Sequence, residues 1–368
     1  MPVENGLIVL ADVSGYTEFI ATTELDHSRE ILGELLGTLC ECAPGSLTIA
    51  QIEGDAVFWL SDQETPALVA LLKDKFVEFH RRLRFMTLAT TCPCRACASV
   101  GSLTLKFVVH RGSYVRQRVA GSDHFVGIDL VLAHRLLKNT VPSHEYILLT
   151  DAALASVTAD GTVRHEETIE HIGTIPCAYI ELSDMRCAAL AERTEHLAPG
   201  DAQAATVRTF PASVERVRDA MRGEGAAGPR GAHYQLLEDP PTPVGGAAAG
   251  SRIPGGDPTH ELTRDGARGS VLGQEIHCHH DGQIEVMRLI KSERDQHGSV
   301  ATTHLIGAHR SVYLTQILSE TPTGSRIEAR LASEPVGDPA SQLPPSFLAI
   351  VEEHLDRIAA AVAGAGEA

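Results

Sequence analysis

The chain has 368 residues, of which 43% are hydrophobic and 21% charged, and it carries a formal net charge of −17 at pH 7. That length exceeds one ordinary core and predicts two domains, and the composition is that of a globular chain rather than a disordered or fibrous one. The negative charge argues against non-specific binding to nucleic acid or to an anionic membrane surface. A nucleotide stays open, because a local divalent cation reverses the sign that a triphosphate meets.

No run of 18 apolar residues is present, so no membrane span is expected. The first apolar run has no basic residues before it and carries Asp12 in its middle, unlike a signal peptide, which predicts a cytoplasmic protein. Eight cysteines over this length, three of them packed as Cys92, Cys94 and Cys97, fit reduced thiols or a metal site better than a secreted disulfide framework.

In chain order, Gly6 to Val13 reads as a short buried strand that breaks at Ser14-Gly15 into a helix. Asp26 to Cys42 is helical, with Ile31, Leu32, Leu35, Leu36 and Leu39 at helical spacing. Leu47 to Ile52 and Ala56 to Leu60 form a hairpin around Glu53-Gly54-Asp55, and Thr65 to Met86 is a second helix. A strand from Leu103 to His110 ends at Arg111-Gly112. Gly127 to Asn139 is a helix, Glu145 to Thr150 a strand, Asp151 to Val157 a short helix and Thr168 to Leu182 one or two strands. Interspersed strands and helices with an early hairpin predict an α+β, ferredoxin-like sheet with helices on one face.

The second half opens with a short strand, Val207 to Phe210, and a helix, Val214 to Met221. Gly223 to Pro258 is rich in Gly, Pro and Ala and reads as mobile loops. Strand-like runs follow at Gly269 to His277, Gly282 to Ser292, Gly298 to Gly307, Ser311 to Ser319 and Gly324 to Ser333. Pro344 to Ala363 closes the chain as an amphipathic helix whose apolar face is the core seam of its own domain.

Two segments carry chemistry. Leu10-Ala11-Asp12-Val13-Ser14-Gly15-Tyr16-Thr17 puts a carboxylate at the end of a buried strand, before a glycine turn whose N–H groups suit phosphate oxygens. Ile52-Glu53-Gly54-Asp55-Ala56 offers a second carboxylate at a tight turn. One Asp in a turn is usually a turn residue; two at adjacent strand ends can share divalent cations that hold a triphosphate.

In this order and spacing the pair resembles the metal-binding strand and Gly-Asp hairpin of class III adenylate and guanylate cyclases, over residues 5 to 182. The resemblance implies a ferredoxin-like nucleotidyl cyclase fold, a homodimer, ATP or GTP as partner, and one or two Mg²⁺ or Mn²⁺ ions on Asp12 and Asp55. Gly15, Tyr16 and Thr17 would lie beside the phosphates. Arg135, in Ala133-His134-Arg135-Leu136, matches the arginine that steadies the transition-state phosphate, and its planar fork suits that role. Other positions depart from the family. Val131 stands where an asparagine is expected, Gln51 where a purine-contacting lysine is expected, and His124 where a base-reading acid or polar residue is expected. Glu170 to Thr174 lacks the late lysine, leaving His171 as the nearby cation candidate.

Cys92, Cys94 and Cys97 can share one soft cation such as Zn²⁺, with Cys40, Cys42 or His80 as the fourth ligand; free loop thiols and a redox or iron–sulfur role are the alternatives. This C-x-C-x-x-C pattern, with Ala-His-Arg-Leu-Leu-Lys-Asn from Ala133 to Asn139, resembles an uncharacterised bacterial branch of cyclase-like proteins. The order of elements after residue 206 resembles the START and polyketide-cyclase-like (SRPBCC) helix-grip superfamily, which implies a hydrophobic small molecule as ligand. His277, Cys278, His279 and His280 read as a solvated strand end more readily than as a metal cluster.

The expected division is therefore a cyclase-like domain over 1–185 with a cysteine insertion at 88–100, a linker over 186–205 and a helix-grip domain over 206–368. Three functions stay open. The first is a nucleotidyl cyclase homologue with weak or altered activity, the second an inactive sensor of nucleotide or small molecule, and the third a lipid- or polyketide-binding protein.

Overall fold

The computed structural model describes residues 3–41, 47–63, 65–90, 92, 94–221, 275–280, 283–307, 311–335 and 341–364, with 122, 275–280 and 283–285 described by backbone alone. The expected loops of Gly223 to Pro258, the first residues of the Gly269 to His277 run, and Cys42 lie outside the described residues, as do the side chains of His277, Cys278, His279 and His280. The chain divides into two units, 1–191 and 192–368.

The first unit is built around β1 (Val3–Ser14), in which Leu7 through Ala11 are all fully buried. A run apolar on both faces requires cover on both sides of its sheet. Leu7, Val9, Ala11 and Val13 pack into one core with α1 (Tyr16–Thr22), α2 (Leu25–Cys40), α3 (Leu68–Ala89) and α4 (Arg95–Ser99). Ile8 and Leu10 pack into a second core with Leu130, Leu132, Ala133 and Leu136 of α5 (Ile128–Leu136). Helices thus cover both faces, where one covered face was expected.

The sheet is mixed. Its order is β2 (Thr48–Glu53), β3 (Ala56–Ser61), β1, β4 (Thr104–Val119), β6 (Tyr146–Thr150), β8 (Gly173–Glu181), β7 (Val163–Ile169), with β5 (Ser122–Val126) paired on β4. The β4–β6 pair is parallel, and β1 is antiparallel to both β3 and β4. Strand β4 runs past Gly112, where the sequence predicted its end. That glycine is a packing position rather than a stop: a Cβ there would lie 2.3 Å from Cβ of Asp129. The polar tail Arg116-Gln117-Arg118 then pairs with β5 at a partly exposed edge. The short helix α6 (Asp151–Leu154) and α7 (Ser183–Leu190) complete the unit.

The second unit is a six-stranded antiparallel sheet ordered β10 (Glu275–His280), β11 (Gln283–Arg294), β12 (Gly298–Ile306), β13 (Ser311–Thr321), β14 (Gly324–Ser333), β9 (Ala204–Phe210). Helices α8 (Val214–Met221) and α9 (Pro345–Gly364) lie on one face, where Val217, Met221, Val351, Leu355 and Ile358 meet Leu314, Leu318, Ile327 and Leu331. Residues 192–203 cross the other face, where Leu197 packs on Tyr313 and Ala332. Its N–H donates to Thr315 Oγ1 at 2.9 Å, and its carbonyl accepts from Arg330.

Gly6 has no room for a side chain, since a Cβ would lie 2.1 Å from the Ser61 carbonyl oxygen, whereas Gly33 on the exposed side of α2 meets nothing within 4 Å. Gly6→Ala is expected to cost about 1–3 kcal/mol through overpacking against backbone. Gly33→Ala should gain about 0.5–1 kcal/mol through helix entropy. Shifts of denaturation midpoint in opposite directions check both.

Candidate functional site

Because β1 is packed on both faces, its register fixes where Asp12 points. Asp12 lies on the α5 face with Ile8 and Leu10, and its cross-strand partners are Ala56 on β3 and Lys106 on β4. Asp55 immediately precedes Ala56, at the hairpin turn that Gly54 makes with φ +60°, and its carbonyl oxygen accepts from Val13 N–H at 3.2 Å. Both acids that the sequence singled out therefore sit at one end of neighbouring strands.

The two carboxylates are close enough for the charge of one to act on the other. Burial and then the Asp12 charge push the Asp55 carboxyl up to about 6, opposed by its own backbone hydrogen bond and by Lys106. Lys106 Nζ lies 3.1 Å from Asp12 Oδ2, each side chain 17% exposed, and donates to the Leu137 carbonyl at 3.1 Å. Sequence reasoning missed this lysine. The signal was a lone Lys inside the apolar strand Leu105-Lys106-Phe107-Val108-Val109, which is costly to bury unless paired.

Gly15 follows in a left-handed conformation (φ +88°) and caps α1, whose first N–H groups, from Tyr16 and Thr17 onward, lie beyond reach of intrahelical carbonyls. Tyr16 is half-buried against the α2–α3 core; Gly15 and Thr17 are exposed.

The remaining expected site residues stand elsewhere. Gln51 is exposed on β2 opposite Phe58, and His124 is exposed on β5 opposite Gln117. Arg135 is exposed on α5 and donates to the Glu170 carbonyl at 2.9 Å, in the β7–β8 turn. His171, in that same turn with φ +66°, is exposed beside Glu170. On the same helix as Arg135, Ile128 and Val131 are exposed; Val126 of β5 is exposed too, and Ile49 and Ile52 of β2 are exposed on the other face of the sheet, paired with Trp59 and Val57.

A second cluster lies on the other face of the sheet. His27 in the first turn of α2 joins Cys92, Cys94 and Cys97, with all four ligand atoms within 4.8 Å of one another, an arrangement able to hold a metal ion. His27 Nδ1 is 3.1 Å from Cys94 Sγ and 3.6 Å from both Cys92 Sγ and Cys97 Sγ. The amide of Cys97 and the His27 ring hold the Cys94 thiol down to about 7, and Cys94 in turn raises the His27 imidazole. Burial pushes the Cys97 thiol up to about 11.

Of the expected fourth ligands, His80 and Cys40 are placed elsewhere. His80 is buried in the core, where Nδ1 donates to the Phe76 carbonyl at 2.8 Å and Nε2 meets Thr104 Oγ1 at 2.9 Å, and burial drives it down to about 4. Cys40 packs against the same core as a free thiol raised by burial. No sequence spacing pointed to His27, because the fold alone carries it across 65 residues to Cys92.

A family model described as "Protein of unknown function (DUF2652)" matches residues 32–146, which include Asp55, the three cysteines and Arg135. Solved structures similar to the chain include the guanylyl cyclase Cya2, at 16% identity and a TM-score of 0.39 over 49% of this chain and 92% of that one. The adenylyl cyclase CyaB from P. aeruginosa has 15% identity and a TM-score of 0.37 over 49% of this chain and 96% of that one. Scores of this size leave the reading of the site to its own geometry. Among curated proteins, the uncharacterized protein Rv2561/Rv2562 of Mycobacterium tuberculosis is 33% identical over 163 residues, which are 42% of this chain and 76% of that protein. At that identity and coverage, the chain belongs to the same family as the mycobacterial protein.

Proposed function

We propose that the first unit binds a complex of a divalent cation and a purine nucleoside triphosphate, as a class III cyclase homologue with slow or altered turnover. The observation that carries this reading is the convergence of Asp12 and Asp55, with the Asp55 carboxyl lifted to about 6 by burial and by its neighbour. Two partly desolvated carboxylates are hard oxygen donors, the chemistry that Mg²⁺ and Mn²⁺ take. The bound ion would neutralise phosphate charge at the reacting centre. The Gly15 turn offers the first N–H groups of α1 beside these acids to phosphate oxygens.

Arg135, on the exposed surface of α5, would serve the acids of a second copy in a homodimer. The exposed apolar side chains Ile128 and Val131, on the same helix as Arg135, support such an interface. With Val131 and Gln51 in place of polar ligands and no lysine at 170–174, turnover should be poor, since each missing transition-state donor costs about 10²–10³ in rate. Binding therefore matters more than cyclisation, and Gln51 and His124 would set any base preference.

The thiol cluster is read as a structural Zn²⁺ site. A tetrahedral ion with Zn–S near 2.3 Å and Zn–N near 2.05 Å places nitrogen about 3.6 Å from each sulfur. Two of the three His27 distances have that value. In the second unit, a long helix on a curved antiparallel sheet supports a helix-grip domain, with the division at 185 and 206 as its proposed limits. Its ligand would be a hydrophobic small molecule. Thr303 Oγ1 and Gln316 Nε2, buried on the helix-facing side without a hydrogen-bond partner, offer that ligand polar contacts. Among the described residues no helix is long and apolar enough to cross a membrane. Free thiols fit a reducing, cytoplasmic setting.

Saturating Mn²⁺–ATP or Mn²⁺–GTP should raise the melting temperature by about 5 °C or more, as expected for ligand near 100 Kd. Asp12→Asn and Asp55→Asn should each remove that rise; two variants that still respond like wild type sink the acid-pair assignment. Cyclic product in the same mixtures, measured by mass spectrometry, decides whether slow turnover exists.

Asp55 also makes a signed pH prediction. Its folded value lies above the ordinary 3.8, so its contribution to stability is complete below that value and is lost as pH rises through about 6. Metal-free wild type should therefore become less stable relative to Asp55→Asn between about pH 4 and 6, and Mn²⁺ should stabilise wild type more over the same interval. Parallel melting curves across pH check the sign. For the thiol cluster, purified protein should carry one zinc per chain by elemental analysis, and Cys94→Ser or His27→Ala should lose most of it. Unchanged zinc content in both variants contradicts the assignment.

A further inference from the structure

We infer that the Asp12–Asp55 site takes one divalent cation rather than two, because Lys106 is built into it as the second positive charge. The inference rests on the metal–nucleotide reading above and fixes its stoichiometry.

Lys106 reaches the acids through register, not through a flexible loop. It is the cross-strand partner of Asp12 on β4, on the same face, and both strands are core strands. Its ammonium is held from two sides, at 3.1 Å from Asp12 Oδ2 and 3.1 Å from the Leu137 carbonyl. Leu137 is the C-cap of α5, where unpaired carbonyls and the helix dipole favour a cation. Swinging Lys106 away would break the ion pair and the cap contact together. With the Lys106 side chain 17% exposed, little water is at hand to replace them.

The local charge then decides the count. Two carboxylates and one ammonium leave the site a single negative charge. One divalent ion inverts that to a modest positive charge that a polyphosphate satisfies, whereas a second ion would concentrate several positive charges in a half-buried site without further carboxylates. Other acids on this face are engaged elsewhere. Asp129 Oδ2 accepts from Ser113 N–H at 2.6 Å, with Oδ1 at 3.4 Å from His110, and Glu53 faces His134 at 3.8 Å. The charges that act on Asp55 are Asp12 and Lys106.

The test titrates the full chain, zinc-loaded at its thiol cluster, with Mn²⁺ alone and counts bound ions by electron paramagnetic resonance of the free ion. Mn²⁺ prefers oxygen donors and leaves the thiolates to zinc. Wild type should bind one Mn²⁺ per chain in a manner lost in Asp12→Asn. Lys106→Met, which keeps the stem and removes the charge, should bind it at least about tenfold more tightly. Lys106→Arg, which keeps the charge, should match wild type and remains decisive if the methionine variant misfolds. Two ions in wild type, or no gain in Lys106→Met, overturn the inference and leave the metal reading standing. Absence of Mn²⁺ binding in wild type instead removes the metal reading itself.

Discussion

One ion pair organises the first unit's chemistry: Lys106 against Asp12, made between neighbouring strands at the end of a strand buried on both faces. Its position is not adjustable. A slip of one residue in β1 would exchange Ile8 and Leu10 for Leu7 and Val9 across the sheet and send Asp12 into the opposite core. The carboxylate stays where packing puts it. Asp55 is tied to the same strand by the Val13 amide and cannot retreat from its like-charged neighbour. The cost of holding these acids together is visible in Asp55, and Lys106 offsets only part of it.

Much of this was legible in the residues, for a physical reason in each case. The unbroken apolar run from Leu7 to Ala11 announced a central strand, and Gly15 and Gly54, both with positive φ, marked the turns that expose the two acids. The same run also held the information that helices cover both faces, because a strand with one wet face alternates. What stayed hidden was cross-strand partnership. Lys106 and His27 gain their meaning from residues 94 and 65 or more positions away in sequence, and neither has a local pattern that names its partner. Strand β5 was missed because it is short and opens with polar residues, and Gly112 was taken for a terminator when it is the gap into which Asp129 fits.

The second unit carries a buried polar network on the sheet face away from α8 and α9. His304 is fully buried there, with Nδ1 3.1 Å from Glu192, Nε2 3.1 Å from Glu334, and its ring stacked on Tyr313 at 4.1 Å. His196 bonds Thr302, which bonds Thr315, which accepts from Leu197. These polar groups fasten residues 192–203 across the strands, so a stretch that reads as connecting chain by composition covers one face of the sheet. Buried polar networks of this kind fix one arrangement because each member left unpaired is costly. The alternating pattern of β13, with Val312, Leu314 and Leu318 toward the helices and Tyr313 and Thr315 toward residues 192–203, is what makes two dissimilar faces possible.

The first unit therefore presents two side-chain clusters of opposite donor chemistry on opposite faces of one sheet, a carboxylate pair and a thiol–imidazole group. The acid pair offers only oxygen and carries a fixed ammonium, which disfavours ions that gain little from hard carboxylates. The other cluster offers three sulfurs and one imidazole, with the Cys94 thiol held below its ordinary value by the Cys97 amide and the His27 ring, and suits a softer ion. The two are joined mechanically through α1, α2 and α4. Glu24, just before α2, accepts from the Ala96 amide at 3.1 Å, and Gly15 lies against the backbone of Ser102 beyond α4. An ion on the thiols would thus brace the corner from which the Gly15 turn projects, while an ion on the acids would depend on β1 and the β2–β3 turn. Stability of the turn and charge of the site are set by different residues, which is why changes at Cys94 and at Lys106 should be separable.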